Sequence, residues 1–231
     1  MASSDAQKAM YRTQAEAYET LIAAEDCDGR LREEVERRVD VRGKRLLDVG
    51  AGTGRLARWF AEHAKTLTLV EREVAMLEVA KGHLSEAATY HVADARELPV
   101  PTNAFDVAMA GWVFGHFRHW MPDGWEREVD QAIIEMRRAV VPGGALVVIE
   151  TLGTGHETPR DHPALDEYFQ RLESVHGFER TWARSDYRFE TPEHAVVVLG
   201  KFFGETLVRQ IQAQRWSTVP ECTGLFVCAN E

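Results

Sequence analysis

The stretch from Arg45 to Leu56 constrains this chain more than any other: an apolar run, an acid, then three glycines at alternate positions. Leu46-Leu47-Asp48-Val49 reads as a short buried strand. Gly50, Gly52 and Gly54 mark a tight turn, and an amphipathic helix begins at Arg55. Glycine lacks a Cβ, so the backbone can bend sharply and approach a ligand closely. A helix starting behind such a turn offers unpaired N–H groups. The stretch is therefore suited to a nucleotide-like ligand, and glycine spacing narrows the choice. A dinucleotide fold wants Gly-x-Gly-x-x-Gly, the third glycine allowing close helix–strand packing. Arg55 stands at that third position here, which argues against a nicotinamide-dependent reductase.

Around this stretch, strands and helices alternate. After Arg45–Val49, the pattern predicts a helix from Gly54 to about Ala64 and a strand over Thr66–Val70 that ends at Glu71. A helix from Glu73 to about Ala87 follows, then strands Ala88–Ala93 and Phe105–Ala110. Val129, Ile133, Met136 and Val140 form the inward stripe of a helix over about Asp123 to Val140. Pro142-Gly143-Gly144 turns into a fifth strand, Ala145–Thr151. This order predicts an α/β, doubly wound, Rossmann-like and mostly parallel sheet, closed by an antiparallel last strand. Ligands of such sheets bind beyond the carboxyl ends of the strands. Gly50–Gly54, Glu71, Asp94 and Gly111 all fall at predicted strand ends, on that one edge.

The flanks are less regular. Residues 1–43 read as a helical leader, with Tyr11, Ala15, Tyr18 and Ile22 on one face of a helix from Asp5 to about Ala24 and a second helix carrying Leu31, Val35 and Val39. After Thr151 come a helix over about Pro163 to Val175, an extended stretch Phe178–Phe189 and a helix capped by Thr191-Pro192. That helix runs toward Gly204 and resumes to about Gln210. Trp216–Val219 and Gly224–Ala229 read as a final strand pair around Pro220. We expect one domain over 1–231, with the leader at 1–43, a ligand-binding core at 44–151 and a remainder at 152–231 that covers the reacting partner.

With 231 residues and a formal net charge of −10, the chain is acidic for a nucleic-acid binder, which normally presents a basic face. No apolar run approaches the ~18 residues of a membrane span, and no signal segment opens the chain. Cys27, Cys222 and Cys228 form neither a disulfide framework nor a zinc pattern, so no metal is expected and a cytoplasmic location is.

Together, Leu47–Gly54, Glu71, Asp94-Ala95, Phe105-Asp106 and Pro142–Leu146 resemble the class I S-adenosylmethionine-dependent methyltransferases, in particular the small-molecule enzymes related to the ubiquinone and menaquinone C-methylases. The resemblance covers about residues 40–151. It is weaker in the leader and weakest over 153–231. It implies S-adenosyl-L-methionine as cofactor and a small organic acceptor, in a monomer or homodimer. By position, the turn Gly50, Gly52, Gly54 would face the methionine part, with Asp48 holding its amino group. Glu71 would bind the ribose, Arg72 would stack on adenine, and Asp94 and Ala95 would contact its edge. Gly111 and Trp112 would present a backbone carbonyl. Tyr11 or Tyr18 would lie over the site, or simply pack in the core.

The acceptor side is carried by Trp112–Pro122, an aromatic segment with His116, Arg118 and His119. Two histidines there titrate near neutrality and could deprotonate or orient an acceptor; each could equally be a site-wall or solvated residue without a catalytic part. Rival readings are a methyltransferase acting on tRNA or protein and a non-catalytic module that only binds the cofactor.

Overall fold

The computed structural model describes residues 15–84 and 88–231. Tyr11, and the helix expected from Asp5 as far as residue 14, lie outside the described residues. Helices α1 (Ala15–Ala24) and α2 (Arg30–Arg38) lead into β1 (Arg45–Val49), α3 (Arg55–Phe60), β2 (Thr66–Glu71), α4 (Val74–Leu84) and β3 (Ala88–Val92). Then come β4 (Phe105–Gly111), α5 (Gly115–Trp120), α6 (Trp125–Ala139) and β5 (Val140–Thr154). The remainder is α7 (Asp166–Ser174), β6 (Glu179–Arg184), β7 (Tyr187–Arg188), α8 (Pro192–Phe203), α9 (Glu205–Gln214), β8 (Thr218–Val219) and β9 (Glu221–Ala229).

Seven strands form one sheet in the order β3-β2-β1-β4-β5-β9-β6. Neighbours from β3 through β5 are parallel, and β9 runs antiparallel to both β5 and β6. The mostly parallel sheet with an antiparallel last strand is as expected. Strand order reverses between β1 and β4, where a crevice opens at the carboxyl ends. Helices cover both faces. On one, α6 buries Val129, Ile133 and Met136 against Leu146 and Val148. On the other, α2 to α4 bury Leu31, Val35, Leu56, Phe60 and Leu77 against Leu46 and Leu69. A smaller third core joins Leu21 of α1 to Val198, Leu199 and Ile211 of α8 and α9.

Four expectations are corrected. Trp216–Val219 and Gly224–Ala229 do not pair with each other: β8 pairs with β7, while β9 begins at Glu221 and lies between β5 and β6. The reason is burial on both faces, since Glu221 through Phe226 are all buried and such a run belongs inside a sheet. Phe178–Phe189 is accordingly two strands in two sheets. Strand β5 starts at Val140, not Ala145; its register slips between Phe105 and Val107, absorbing Pro142-Gly143-Gly144 as a bulge. Finally, α5 has no counterpart in the sequence pattern. It is held at its start by a distant carboxylate: Glu150 Oε1 accepts the Gly115 N–H at 2.9 Å and the Tyr168 hydroxyl at 3.0 Å.

Candidate functional site

The glycine turn follows β1 as three left-handed residues, with φ of 67°, 55° and 84° at Gly50, Gly52 and Gly54. Two of these have no room for a side chain. A Cβ at Gly50 would lie 2.5 Å from Val113 Cγ2, and one at Gly54 would press on Ala80, Leu84 and Leu69 at 3.2 to 3.4 Å. Gly54 thus supplies close helix packing, the task a dinucleotide fold gives to its third glycine. The Gly50 and Ala51 amides donate to Val70 O at 2.8 and 3.1 Å, which ties the turn to the end of β2.

Glu71 ends β2 beside that turn. Its Oε2 accepts the Gly52 N–H at 3.0 Å and its Oε1 the Glu73 N–H at 2.8 Å. Burial raises its carboxyl above the usual range, while these amides pull it down. Each oxygen keeps lone pairs for a further donor. A cleft opens there. Of the expected site residues, Tyr18, Gly50, Gly52, Glu71, Arg72, Asp94, Ala95, Gly111, Trp112 and His116 line it.

Three expected residues are not brought to the cleft. Asp48 is buried at the turn's base, where Oδ2 accepts the Ala57 N–H at 3.1 Å. It ties β1 to α3, and burial pushes its carboxyl up to about 7. Gly54 packs inward. His119 sits exposed on α5, away from the lining. Glu73, Met76, Ala93, Val113, Phe117 and Trp120 line the cleft without having been singled out. Phe117 and Trp120 belong to the aromatic segment already read as a wall. Met76 was legible only as a core position of α4.

Along the cleft's outer wall, the guanidinium of Arg72 lies 5.4 Å from the Trp120 ring centre, and Trp120 stacks on His116 with centres 4.8 Å apart. Burial, with His119 nearby, pushes His116 down to about 4. It is therefore neutral at pH 7 and a weak base. Asp94 is held by Arg96 at 2.7 and 2.8 Å, which keeps it ionised. Trp112 takes a left-handed backbone, φ 55°, sparsely populated for a bulky residue. The Arg55 guanidinium lies 3.5 Å from its ring centre, and Ile149 O accepts its N–H at 2.7 Å. Tyr18 of α1 completes the rim, its phenol pushed up to about 12 chiefly by burial.

Residues 47–148 match the model of a family described as a methyltransferase domain. A ubiquinone/menaquinone biosynthesis C-methyltransferase from Bordetella avium is 34% identical over 120 residues, covering 49% of this chain and 43% of that protein. The chain thus spans less than half the length of this curated relative. Two solved structures share the fold. The 4+2 cyclase SpnF is 23% identical with a TM-score of 0.56, covering 86% of this chain and 80% of that one. A Haemonchus contortus phosphoethanolamine N-methyltransferase, solved with S-adenosylhomocysteine and phosphomonomethylethanolamine, is 20% identical with a TM-score of 0.54, covering 86% of this chain and 52% of that one.

Proposed function

We propose that the chain, which matches a methyltransferase-domain model over residues 47–148, moves a methyl group from S-adenosylmethionine to a small organic acceptor. The observation that carries the reading is the Glu71 carboxylate at the cleft wall, held by Gly52 and Glu73 amides with lone pairs left for a pair of ribose hydroxyls. The residues fit the group: Gly50, Gly52 and Gly111 present bare backbone to the cleft, and at Gly52 a Cβ would take up space between Met76 and Tyr18, 3.5 and 3.8 Å away.

When bound, the cofactor supplies a sulfonium that makes the methyl carbon electrophilic and provides its own leaving group. The protein's share is then positioning and exclusion of water. Gly50 and Gly52 let the backbone approach the methionine end. Ala95 and the aromatic wall of Phe117, Trp120 and His116 take the adenine end, with Asp94 facing its amino group. Asp48 acts at one remove, fixing the turn through Ala57. His116 is assigned as a wall rather than a base, because a neutral imidazole with a pKa near 4 drives proton removal weakly at pH 7. Among the described residues, no helix is long and apolar enough to cross a membrane. The free thiols of Cys27, Cys222 and Cys228 suit a reducing cytoplasm.

Thermal shift tests the reading. S-adenosylhomocysteine at a hundredfold its Kd should stabilise the chain by about 2.7 kcal/mol, and NAD by nothing. Stabilisation by NAD with none by S-adenosylhomocysteine would overturn it.

A further inference from the structure

Trp112 stands in the cleft wall in a backbone conformation that its own side chain opposes. A φ of 55° suits glycine, and a bulky residue keeps it only where the surroundings fix it. Two contacts fix it here. On the backbone, Ile149 O of β5 accepts the Trp112 N–H at 2.7 Å. On the side chain, the Arg55 guanidinium carbon lies over the indole, 3.5 Å from the ring centre. The backbone contact alone would leave the ring free to turn the residue out of the left-handed region. The guanidinium is what pins the ring.

Arg55 is itself held. It opens α3 directly behind the glycine turn, and its side chain is only 10% exposed. Its Nη1 donates to Glu25 Oε2 at 2.6 Å, and the buried Glu25 carboxylate also accepts the Tyr187 hydroxyl. Glu25 follows α1 and Tyr187 lies in β7, so the guanidinium is anchored by the cap and by a distant part of the chain. The next residue, Leu56, closes on the residue before Trp112: a Cβ at Gly111 would lie 2.9 Å from Leu56 Cδ1. The first turn of α3 thus bears on both residues at the end of β4. Of these residues, Gly111 and Trp112 line the cleft, and Arg55, Leu56 and Glu25 stand behind it. A guanidinium sealed against an indole face attracts it more strongly than one at a wet surface, because water does not compete. Lysine could keep the ion pair with Glu25 but has no flat face to lay on the ring.

We propose that Arg55 is a positioning residue for the cleft: held by Glu25, its guanidinium keeps Trp112 in the left-handed conformation and so fixes where the Gly111–Trp112 backbone stands in the wall. The effect on ligand affinity rests on the reading of the cleft as a cofactor site; the effect on the backbone rests on the contacts alone. The cofactor's hold then depends on side chains that do not line its cleft, and on docking of the cap.

The test compares the full native chain with Arg55→Lys, alone and combined with Trp112→Gly, because glycine accepts this φ without strain. Hydrogen exchange followed by NMR reads the Trp112 amide in the absence of ligand. Arg55→Lys should speed its exchange about tenfold and leave the amides of β1 and β2 at their native rates. Calorimetry then reads S-adenosylhomocysteine. Arg55→Lys should weaken it about fivefold in the native background and by less than about twofold beside Trp112→Gly, where no ring is left to hold. Faster exchange throughout the sheet would show a general loosening and overturn the proposal. A native exchange rate at Trp112, or an equal loss of affinity in both backgrounds, would overturn it as well. If Trp112→Gly abolishes S-adenosylhomocysteine binding, the exchange rates alone decide. If S-adenosylhomocysteine fails to bind the native chain while the Trp112 amide responds to Arg55→Lys, it is the cofactor reading that falls and the positioning role stands.

Discussion

Two walls of the same crevice are built in opposite ways. The wall under β1 and β2 is made by residues within a short span, 48 to 73, and mostly by backbone: three glycine turns, the amides of Gly52 and Glu73, and one carboxylate that they hold. The wall beyond Trp112 is made by side chains, those of Val113, His116, Phe117 and Trp120. The first has its hydrogen bonds satisfied within itself. The second is held by stacking, with Trp120 on His116 at 4.8 Å and the Arg72 guanidinium 5.4 Å from the Trp120 ring centre. A wall made of backbone fits one shape for many sequences; a wall of side chains can be rewritten one residue at a time. The comparison therefore separates a wall fixed by backbone geometry from one that substitution can reshape.

Substitutions can break that comparison. The largest effect is expected from Gly50→Ala. It combines left-handed strain with a Cβ 2.5 Å from Val113, and should destabilise the fold by about 2 to 3 kcal/mol in urea unfolding. Adding Val113→Ala should recover the part due to contact. Next, Glu71→Ala should weaken S-adenosylhomocysteine by about 2 kcal/mol, roughly thirtyfold, in calorimetry. Unchanged affinity would remove the ribose assignment.

A smaller effect is expected on pH. Asp48 and Glu150 are pushed to about 7, and Glu221 to about 8, each chiefly by burial. A raised carboxyl pKa means that the folded chain holds a proton which the unfolded chain has released. Their contribution is complete below about pH 4 and is lost as pH rises through 7 to 8. The Tm should fall between about pH 4.5 and 8 and level off above that, with a shallower slope in Glu150→Gln. A Tm flat over that window would show these acids to be solvated. The smallest effect is expected from His116→Phe, which keeps the stack on Trp120. Methyl-transfer rate should change less than about threefold at pH 7. An inflection near 6.5 in the wild-type rate, absent in the variant, would restore His116 as a base.

The contrast also explains what the sequence disclosed. Glu71 and Gly111 were legible because each ends an apolar strand, and Asp94 because it follows β3 by two residues; strand ends of a parallel sheet share one edge. The antiparallel closing strand was legible as well. Glu221 was not, because its partner Thr151 lies 70 residues away in the chain. Arg55 could be read only as a missing glycine; its contact with Trp112 is tertiary. Helix α5 depends on Glu150 in the same way, since nothing between 115 and 120 announces a helix without that carboxylate.

The cap is stitched to the far end of the chain by two backbone rungs, Asp26 N–H to Ser185 O and Cys27 N–H to Asp186 O, both at 3.2 Å. Closing such a seam requires almost the entire intervening chain to be in place, and contacts this distant in sequence form late because loop closure must come first. The β1–turn–β2 unit needs only a local closure. Folding should therefore complete the β1–turn–β2 wall before Asp26 and Cys27 reach Ser185 and Asp186, so that one wall of the crevice exists before the far end of the chain has docked.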